Sequence, residues 1–188
     1  MRHDLRHHLS TLSALLQNNA YVKAQEYIHQ LDSNLMQIKQ ESFCKNTVIN
    51  AIISHYSENA EKEGIQFSKQ VQISGDLPVN DMDIGAVMSN LLENAQNACM
   101  EQATDTDRFI AIKFVQHKKQ YVLDISNSFD GAVEFNGDGL PISKRKGHGI
   151  GSQSIYAFTR KYDASTNYSA INGVFSARIL FTEADVVK

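Results

Sequence analysis

Two rows of apolar side chains at heptad spacing fill the first 40 residues and constrain the fold of this part of the chain. Asn18 and Asn19 separate the rows, which consist of Leu5, Leu9, Leu12 and Leu16, followed by Ala24, Ile28, Leu31, Leu35 and Ile38. Alternating steps of four and three residues are typical of amphipathic helices with a narrow apolar seam. The pattern therefore predicts two short helices that form a hairpin.

The predicted hairpin needs a partner for its apolar seams. Two helices of this length bury too little apolar surface to be stable alone. A second copy of the hairpin would complete a four-helix bundle, which is the simplest way to cover both seams. The sequence thus predicts a homodimer held together through its N-terminal helices.

Beyond residue 43 the apolar pattern changes to that of mixed helices and strands. Helical spacing covers 48–56, 81–98 and 150–162, and strand patterns cover 65–73, 109–115, 121–125, 165–170 and 174–181. Asp81 is expected to cap the second helix, and 128–149 is expected to be a long glycine-rich loop. We therefore predict an α+β fold, with a helical hairpin at 1–42 and a two-layer α/β sandwich at 43–188.

Composition and charge exclude several classes of protein. The formal net charge of −3 provides no basic field for nucleic acid, and two cysteines do not make a disulfide scaffold. No stretch approaches the roughly 20 apolar residues of a membrane span. We expect a cytoplasmic domain. Because a helical pattern begins at the first residues without a cap, we also expect a sensor region ahead of Met1, which would carry any membrane contact.

The predicted loop ends in a glycine-rich segment directly before a helix, Lys146-Gly147-His148-Gly149-Ile150-Gly151. Glycines allow backbone N–H groups to approach a phosphate closely, and a helix N-terminus adds positive potential. The segment lacks the ending of the Walker motif and the preceding strand of a dinucleotide-binding motif. Taken alone, it fits a phosphate-binding loop and a plain glycine-rich turn equally well.

Three asparagines form a polar stripe on the predicted helix over 81–98. Asn90, Asn94 and Asn97 are spaced four and three residues apart, opposite a strongly apolar face. Asparagine is a mediocre helix former, so the row requires an explanation. Carboxamide oxygens are suitable ligands for a hydrated Mg²⁺ ion, and a solvated outer face is the alternative.

A third polar segment, Asn127 to Gly131, closes a predicted strand and by itself indicates only a turn. Taken together in their order along the chain, the asparagine stripe, 127–131 and the glycine-rich segment resemble the nucleotide-binding motifs of the GHKL superfamily, which comprises gyrase, Hsp90, histidine kinases and MutL. Asn90-x-x-x-Asn94-Ala95 resembles the histidine-kinase N box, 127–131 lies where the family has its DxGxG box, and 147–151 resembles the second glycine box. The resemblance covers roughly residues 46–182 and implies a two-layer sandwich of the GHKL ATPase type.

The resemblance also implies roles for individual residues. Asn94 would bind Mg²⁺, Asn90 would lie beside the ion and the phosphates, and the loop between the boxes would be the ATP lid. ATP binding is thereby assigned to Asn90, Asn94, Asn127, Gly131, Lys146, Gly147, His148, Gly149, Ile150 and Gly151.

The chain departs from the family pattern at three positions. Asn127 stands in place of the aspartate that usually reads adenine, and Phe129 replaces the first glycine of that box. An asparagine carbonyl still accepts a hydrogen bond from the adenine amino group, and its NH₂ group can donate to a ring nitrogen. Asn97 replaces a basic residue often found there, which leaves the phosphate charge to residues 144–146. These departures resemble the branch of quorum-sensing accessory-gene-regulator kinases.

The N-terminal residues 2–9, with the sequence Arg-His-Asp-Leu-Arg-His-His-Leu, resemble the phosphoacceptor box of that branch. His3 would be the nucleophile, and Asp4 would orient its imidazole or accept its proton. With the leucines at the seam, His3 and His7 lie one turn apart on the outward face. The same pair also fits a plain solvated face, or a zinc site with Glu26 as a third ligand.

The resemblance implies the core of a sensor histidine kinase, which moves a phosphoryl group from Mg²⁺-ATP to its own histidine and then to an aspartate of a response-regulator receiver domain. The full-length protein would be anchored in the bacterial inner membrane. One alternative is a phosphorelay or scaffold module with a degenerate ATP site. Another is a hydrolytic GHKL ATPase, although such proteins have a glutamate where this chain has Asn90.

Overall fold

The computed structural model describes residues 2–31, 43–73, 76–104, 106–131, 133–137, 140–141 and 149–183, and the side chains at 2–5, 29, 31 and 149–152 lie outside this description. The described residues belong to two compact units, Met1–Lys39 and Gln40–Lys188. The predicted α+β fold is confirmed, with a helical hairpin in the first unit and a five-stranded sheet packed against helices in the second. The boundary between residues 42 and 43 stays a prediction, because 32–42 lie outside the description.

The first unit consists of helix α1 (Arg2–Gln17) and helix α2 (Tyr21–Leu31), joined by a turn over 18–20. Asn19 in the turn has a φ of 54°, a conformation that asparagine tolerates better than most residues. Nδ1 of His8 in α1 lies 2.9 Å from the hydroxyl of Tyr27 in α2, and Ala24 is buried. The two helices therefore pack on each other, as the seams predict.

The apolar seams are only partly covered within the hairpin. Leu12 is half-buried, whereas the side chains of Leu9 and Leu16 are 57% and 51% exposed and that of Ile28 is 38% exposed. These exposed side chains leave an apolar face on the hairpin, and the homodimer stays a prediction. The remaining seam residues lie outside the described side chains: Leu5, Leu31, Leu35 and Ile38.

Three helices lie in the described part of the second unit: α3 (Thr47–Lys62), α4 (Asp81–Met100) and α5 (Gly149–Tyr162). The expectation that Asp81 caps α4 is wrong, since the cap is Asn80, whose side chain accepts a hydrogen bond from the backbone N–H of Met82. Asp81 is already the first helical residue, and its carboxylate accepts a 2.6 Å hydrogen bond from Asn46, the N-cap of α3. No helix within the described ranges combines the length and hydropathy that crossing a membrane requires.

The sheet is formed by β1 (Gln66–Gln72), β2 (Phe109–His117), β3 (Gln120–Ser128), β4 (Ser165–Ile171) and β5 (Val174–Thr182), in the order β1-β2-β3-β5-β4. Only the β1–β2 pair is parallel, and α4 lies in the connection between these two strands. Strand β3 continues beyond the predicted range to Ser128. Asn127 is therefore a strand residue rather than part of a turn.

Helix α4 packs against the sheet and against both α3 and α5. Its predicted apolar positions are buried except for Ala98, which is half-buried. Gly85 permits the close approach of α3, because a Cβ here would lie 3.2 Å from Val48 Cγ1 and 3.3 Å from Ile52 Cδ1. The largest fully buried side chains belong to Ile49, Ile53, Ile84, Met88, Leu92, Ile110, Ile112, Phe114, Leu123, Ile125, Ile179 and Phe181.

A polar clasp joins the beginning of α4 to the end of α5. Oδ2 of Asp83 accepts hydrogen bonds of 2.6 Å from both Lys161 Nζ and the Tyr162 hydroxyl, and this hydroxyl accepts one from the backbone N–H of Asn80. The hydrogen bonds from Lys161 and Tyr162 lower the pKa of Asp83 below its ordinary value. The ionised carboxylate therefore helps to hold the two helices together.

We predict that Asp83→Asn lowers the free energy of unfolding at about pH 7 and that its difference from the wild type shrinks toward about pH 3. A carboxyl with a depressed pKa in the folded state stabilises the protein above its unfolded pKa, and this stability is lost as pH falls through the folded pKa. Denaturant unfolding across this pH range measures the effect, with the exposed Asp76→Asn as control. A difference that does not change with pH would contradict the assignment.

Candidate functional site

A cavity of about 560 Å³ lies between the sheet and helices α4 and α5 in the second unit. Its walls are mostly apolar, with a small number of polar groups, as is usual for sites that bind organic ligands. It is lined by Leu91, Asn94, Ala95, Ala98, Glu101, Ile125, Asn127, Phe129, Asp130, Val133, Leu140, Pro141, Ile155, Tyr156, Thr159, Thr166, Tyr168, Phe175 and Ala177.

The floor of the cavity follows from the register of three antiparallel strands. Asn127 of β3 pairs with Phe175 of β5, and two residues along the same strands Ile125 pairs with Ala177. Ala177 pairs in turn with Tyr168 of β4. Because residues two apart on a strand face the same side, these side chains form one surface beneath the helices. Burial raises the pKa of Tyr168, so its phenol is neutral at physiological pH.

Helix α4 brings one asparagine of the predicted stripe to the cavity. Asn94 is exposed and lines the rim, beside the buried Leu91 and Ala95. Asn90 is not among the lining residues, and its Nδ2 donates a hydrogen bond to the hydroxyl of Ser154 in α5. Asn97 is half-buried and does not line the cavity either. The three asparagines therefore occupy different environments.

The carboxamide of Asn127 has a defined orientation at the floor of the cavity. The residue is 2% exposed, and its Nδ2 donates a 2.8 Å hydrogen bond to the backbone carbonyl of Ser128. Since a carbonyl oxygen only accepts hydrogen bonds, the nitrogen must be the atom that faces it. The acceptor Oδ1 then occupies the other end of the carboxamide.

A buried polar network surrounds the end of β3. Gln102 follows α4 and donates hydrogen bonds from Nε2 to the carbonyl oxygen and the hydroxyl of Ser128, at 2.9 and 3.1 Å. The Ser128 hydroxyl accepts the backbone N–H of Phe109 at 3.0 Å. The Cys99 thiol lies 3.6 Å from the same hydroxyl, and burial raises the pKa of this thiol, which keeps it protonated.

Sequence reasoning missed this network and the polar side chains of β4. Gln102 lies beyond the predicted end of its helix and belongs to no periodic pattern, and its partner Ser128 is 26 residues away along the chain. Thr166 and Tyr168 lie on a strand that was predicted, but no motif marked them. None of these residues has a local signal in the sequence.

The remaining predicted site residues have the following positions. Gly131 has a φ of 106°, a conformation that favours glycine, and no atom lies within 4 Å of the position of a Cβ. Lys146, Gly147 and His148 lie outside the described residues, whereas the backbone of Gly149, Ile150 and Gly151 forms the start of α5.

The predicted phosphoacceptor residues His3 and Asp4 belong to α1, and their side chains lie outside the description.

Phe129 lies in the cavity wall at a position where the family pattern has a glycine. Its ring contacts the ring of Phe175 in an edge-on arrangement with the centroids 6.5 Å apart, and its backbone N–H donates to the Gly173 carbonyl. The side chain therefore adds apolar surface to the cavity without disrupting the β3–β5 connection.

In the described ranges, no three His, Cys, Asp or Glu side chains lie close enough together to hold a metal ion. The side-chain oxygens that line the cavity and could bind a cation belong to Asn94, Glu101, Asn127 and Asp130, among other residues.

A family model described as a GHKL domain matches residues 79–182 of this chain. The chain belongs to the GHKL family. The matched region contains α4, the strands β2 to β5 and α5, and all of these elements except β2 contribute residues to the cavity. The family predicted from the three motifs is thereby confirmed, while the accessory-gene-regulator branch stays a prediction.

Solved structures of histidine kinases share the fold of this GHKL domain. The nucleotide-free catalytic domain of the histidine kinase ThkA is 15% identical, with 72% of this chain and 92% of that chain covered and a TM-score of 0.56. The histidine kinase AdeS of Acinetobacter baumannii is 13% identical, with 97% and 98% covered and a TM-score of 0.58. ThkA in complex with the response regulator protein TrrA is 14% identical, with 100% of this chain and 61% of that chain covered and a TM-score of 0.58.

At these identities the likeness concerns the fold. Among curated proteins, none matches the chain by sequence. The GHKL domain is thus assigned by the family match and by its architecture, and the cavity at its centre is the candidate site.

We predict that Asn127→Asp destabilises this GHKL domain at neutral pH by about 1–3 kcal/mol, the usual cost of a buried polar group without its partner. An ionised carboxylate only accepts hydrogen bonds, so one of its oxygens would face the Ser128 carbonyl, and the pKa of the introduced group should rise. The folded state then holds a proton that the unfolded chain has lost, so stability falls as pH rises.

Denaturant unfolding between about pH 4 and about pH 8 measures this effect. Asn167→Asp is the matched control, because Asn167 is exposed on β4 and its neighbour across the strands is Arg178. The control should show no loss of stability with rising pH. If Asn127→Asp has the same free energy of unfolding as the wild type at neutral pH, the orientation given to the Asn127 carboxamide is contradicted.

Proposed function

We propose that this chain is the core of a sensor histidine kinase, which binds Mg²⁺-ATP in the GHKL cavity and phosphorylates a histidine of its own helical hairpin. The observation that carries the proposal is the combination, in one cavity, of the buried acceptor on Asn127 at the floor and the exposed carboxamide of Asn94 at the rim. The first suits a nucleobase and the second suits an ion beside phosphates.

The cavity suits an adenine base. The exocyclic amine of adenine is a hydrogen-bond donor, so it matches the Oδ1 acceptor of Asn127. A 6-oxo purine has an acceptor at the same position and does not match Oδ1. The side chains of Leu91, Ile125 and Phe175 supply apolar surface for the faces of a flat ring. Its volume lies within the range of cavities that hold molecules of this size.

The phosphates would extend from the cavity toward the start of α5. The first backbone N–H groups of a helix have no partner within the helix, and they lie here in the glycine-rich segment over 149–151. Asn94 would hold Mg²⁺, which offsets the negative charge of the phosphates. Asn90 supports this arrangement indirectly, because its hydrogen bond to Ser154 ties α4 to the second turn of α5.

In the proposed reaction an imidazole nitrogen of His3 forms a bond to the γ-phosphorus of ATP while the bond to the ADP oxygen breaks. Asp4 would orient the ring and receive the proton that the imidazole loses. The phosphoryl group would then pass to an aspartate of a response-regulator receiver domain. The complex of ThkA with TrrA, which has the same fold and covers this whole chain, supports such a partner.

The exposed apolar face of the hairpin supports a homodimer. The side chains of Leu9, Leu16 and Ile28 lie on helices α1 and α2 and are exposed in a single chain. Packing of two hairpins into a four-helix bundle would remove this apolar surface from water. The proposed dimer would bring two copies of α1 together.

Hydrolysis of ATP by the chain is disfavoured by the contacts of α4. Hydrolytic relatives need a carboxylate four residues before Asn94, and the residue there is Asn90, whose amide donates to Ser154. A carboxamide engaged in this way cannot accept a proton from water. Phosphotransfer to a histidine needs no such base on α4.

We predict that Asn94→Ala weakens Mg²⁺-dependent ATP binding by about tenfold or more, as expected for the loss of about 1.4 kcal/mol from one ligand. Asn94 is exposed, so its truncation leaves no core cavity, and alanine slightly improves helix propensity. Isothermal titration calorimetry with and without Mg²⁺ measures the effect. Asn97→Ala on the same helix is the control and should bind normally. Unchanged Mg²⁺-ATP affinity of Asn94→Ala would contradict the metal assignment.

We further predict that His3→Gln abolishes labelling of the chain by γ-labelled ATP and that His7→Gln retains it. Both substitutions lie on α1, and His7 is an exposed residue one turn from His3, so it is the matched control. His8→Gln is a weaker control because His8 contacts Tyr27. The label should be lost in acid and survive in alkali, as expected for phosphohistidine. If His3→Gln retains the label, the assignment of His3 as the phosphoacceptor is contradicted.

A further inference from the structure

We propose that Gln102 is a positioning residue for base recognition, which acts through Ser128 to hold the carboxamide of Asn127 with its acceptor toward the base. This inference rests on the proposed nucleotide site and names the group that makes an asparagine suitable there. Gln102 does not line the cavity itself, and its amide reaches the same backbone carbonyl as Asn127.

The carbonyl oxygen of Ser128 is shared by two carboxamides. Asn127 Nδ2 donates to it at 2.8 Å and Gln102 Nε2 donates to it at 2.9 Å. The Cys99 thiol lies farther from the same oxygen, at 3.6 Å, so the two carboxamides are its closest donors. The group that orients Asn127 is therefore itself held in place by Gln102.

The Ser128 carbonyl serves this purpose because the β2–β3 ladder ends one residue earlier. The last registered pair is Ile110 with Asn127, and the backbone N–H of Phe109 donates to the Ser128 hydroxyl rather than to a backbone oxygen. The side chain of Ser128 thus takes over a ladder hydrogen bond. Its backbone carbonyl is directed to the two carboxamides instead.

Gln102 has only one orientation that satisfies its surroundings. It is 9% exposed, and three acceptors lie near its Nε2: the carbonyl and hydroxyl oxygens of Ser128 and the Ala98 carbonyl at 3.2 Å. Two of these are backbone carbonyls, which accept only, so the nitrogen of the amide must face them. Ser128 of β3 and the Ala98 carbonyl of α4 therefore determine the orientation of the Gln102 amide together.

An asparagine needs this arrangement, whereas an aspartate does not. Both oxygens of a carboxylate accept, so either one can receive the amino group of a base. A carboxamide presents an acceptor in one orientation and a donor in the other. Without Gln102, the Ser128 carbonyl would lose a buried partner and could turn from Asn127, and the carboxamide would then recognise 6-amino and 6-oxo purines more equally.

The test compares ADP with inosine diphosphate, which carries an oxo group in place of the 6-amino group. In the wild type, ADP should bind about 10 to 100 times more tightly, as expected for one buried donor–acceptor pair. Gln102→Leu removes the hydrogen bonds of Nε2 to the Ser128 carbonyl, the Ser128 hydroxyl and the Ala98 carbonyl at similar side-chain size. This variant should lower the ratio of ADP affinity to inosine diphosphate affinity at least about fivefold, mainly by weakening the binding of ADP.

Two controls separate positioning from simple loss of stability. Gln116→Leu removes an amide that donates to the Lys118 carbonyl, at the turn between β2 and β3 and far from Ser128. This variant should keep the wild-type ratio of ADP affinity to inosine diphosphate affinity. Phe114→Leu destabilises the buried core away from the network and should keep it as well. If Gln102→Leu does not fold, Gln102→Met offers a more flexible side chain without a donor.

The outcomes distinguish this inference from the proposed function. Failure of the wild type to bind ADP would overturn the nucleotide site itself. ADP binding with a wild-type ratio near one would overturn the acceptor role of Asn127. A wild-type preference for ADP that persists in Gln102→Leu, with both nucleotides weakened equally, would overturn the positioning role of Gln102 and leave the nucleotide site standing.

Discussion

Burial of one face of α4 determines the geometry of the second unit. This helix contacts β2, β3, α3 and α5, and its apolar residues lie in the common core. Gly85 lets α3 approach so closely that a Cβ at this position would crowd Val48 and Ile52. Because the buried face cannot rotate without exposing this core, the opposite face and the end of the helix are held in fixed positions. Asn94 at the rim and Gln102 beyond the last turn follow from that constraint.

The floor of the cavity depends on where β3 ends. Two-residue periodicity along β3 places Ile125 and Asn127 on the side that faces the helices. Ser128 then ends the pairing with β2 through its own hydroxyl, and its carbonyl accepts from two carboxamides. The polar part of the site is thus made from hydrogen-bonding capacity that a continuing ladder would have consumed.

Apolar periodicity was sufficient to predict the elements of the fold. The helices over 47–62 and 81–100 and the five strands arise where the spacing indicates them, since burial of a continuous apolar face dominates the choice of structure. The cap of α4 was misassigned by one residue because Asn80 and Asp81 are equally good cap formers in isolation. Tertiary contacts separate them, since Asn80 donates its backbone N–H to Tyr162 and Asp81 accepts a hydrogen bond from Asn46.

The candidate site was predictable only in part. Asn94 and Asn127 were marked by their resemblance to motifs, and both line the cavity. The position of Asn90 beside the phosphates stays a prediction, and no pattern in the sequence indicated that its carboxamide bonds to Ser154, a residue 64 positions away. Gln102 gave no signal at all. Contacts between residues so distant in the chain depend on the register of the strands and the packing of α4, which no local pattern specifies.

A crystal structure of the chain with Mg²⁺ and a non-hydrolysable ATP analogue would test the central claim most directly. The account predicts that the 6-amino group of the base lies within hydrogen-bond distance of Asn127 Oδ1, with Nδ2 still on the Ser128 carbonyl and the metal ion on Asn94. A nucleotide bound outside this cavity, or a base that contacts Asn127 through its nitrogen, would contradict it.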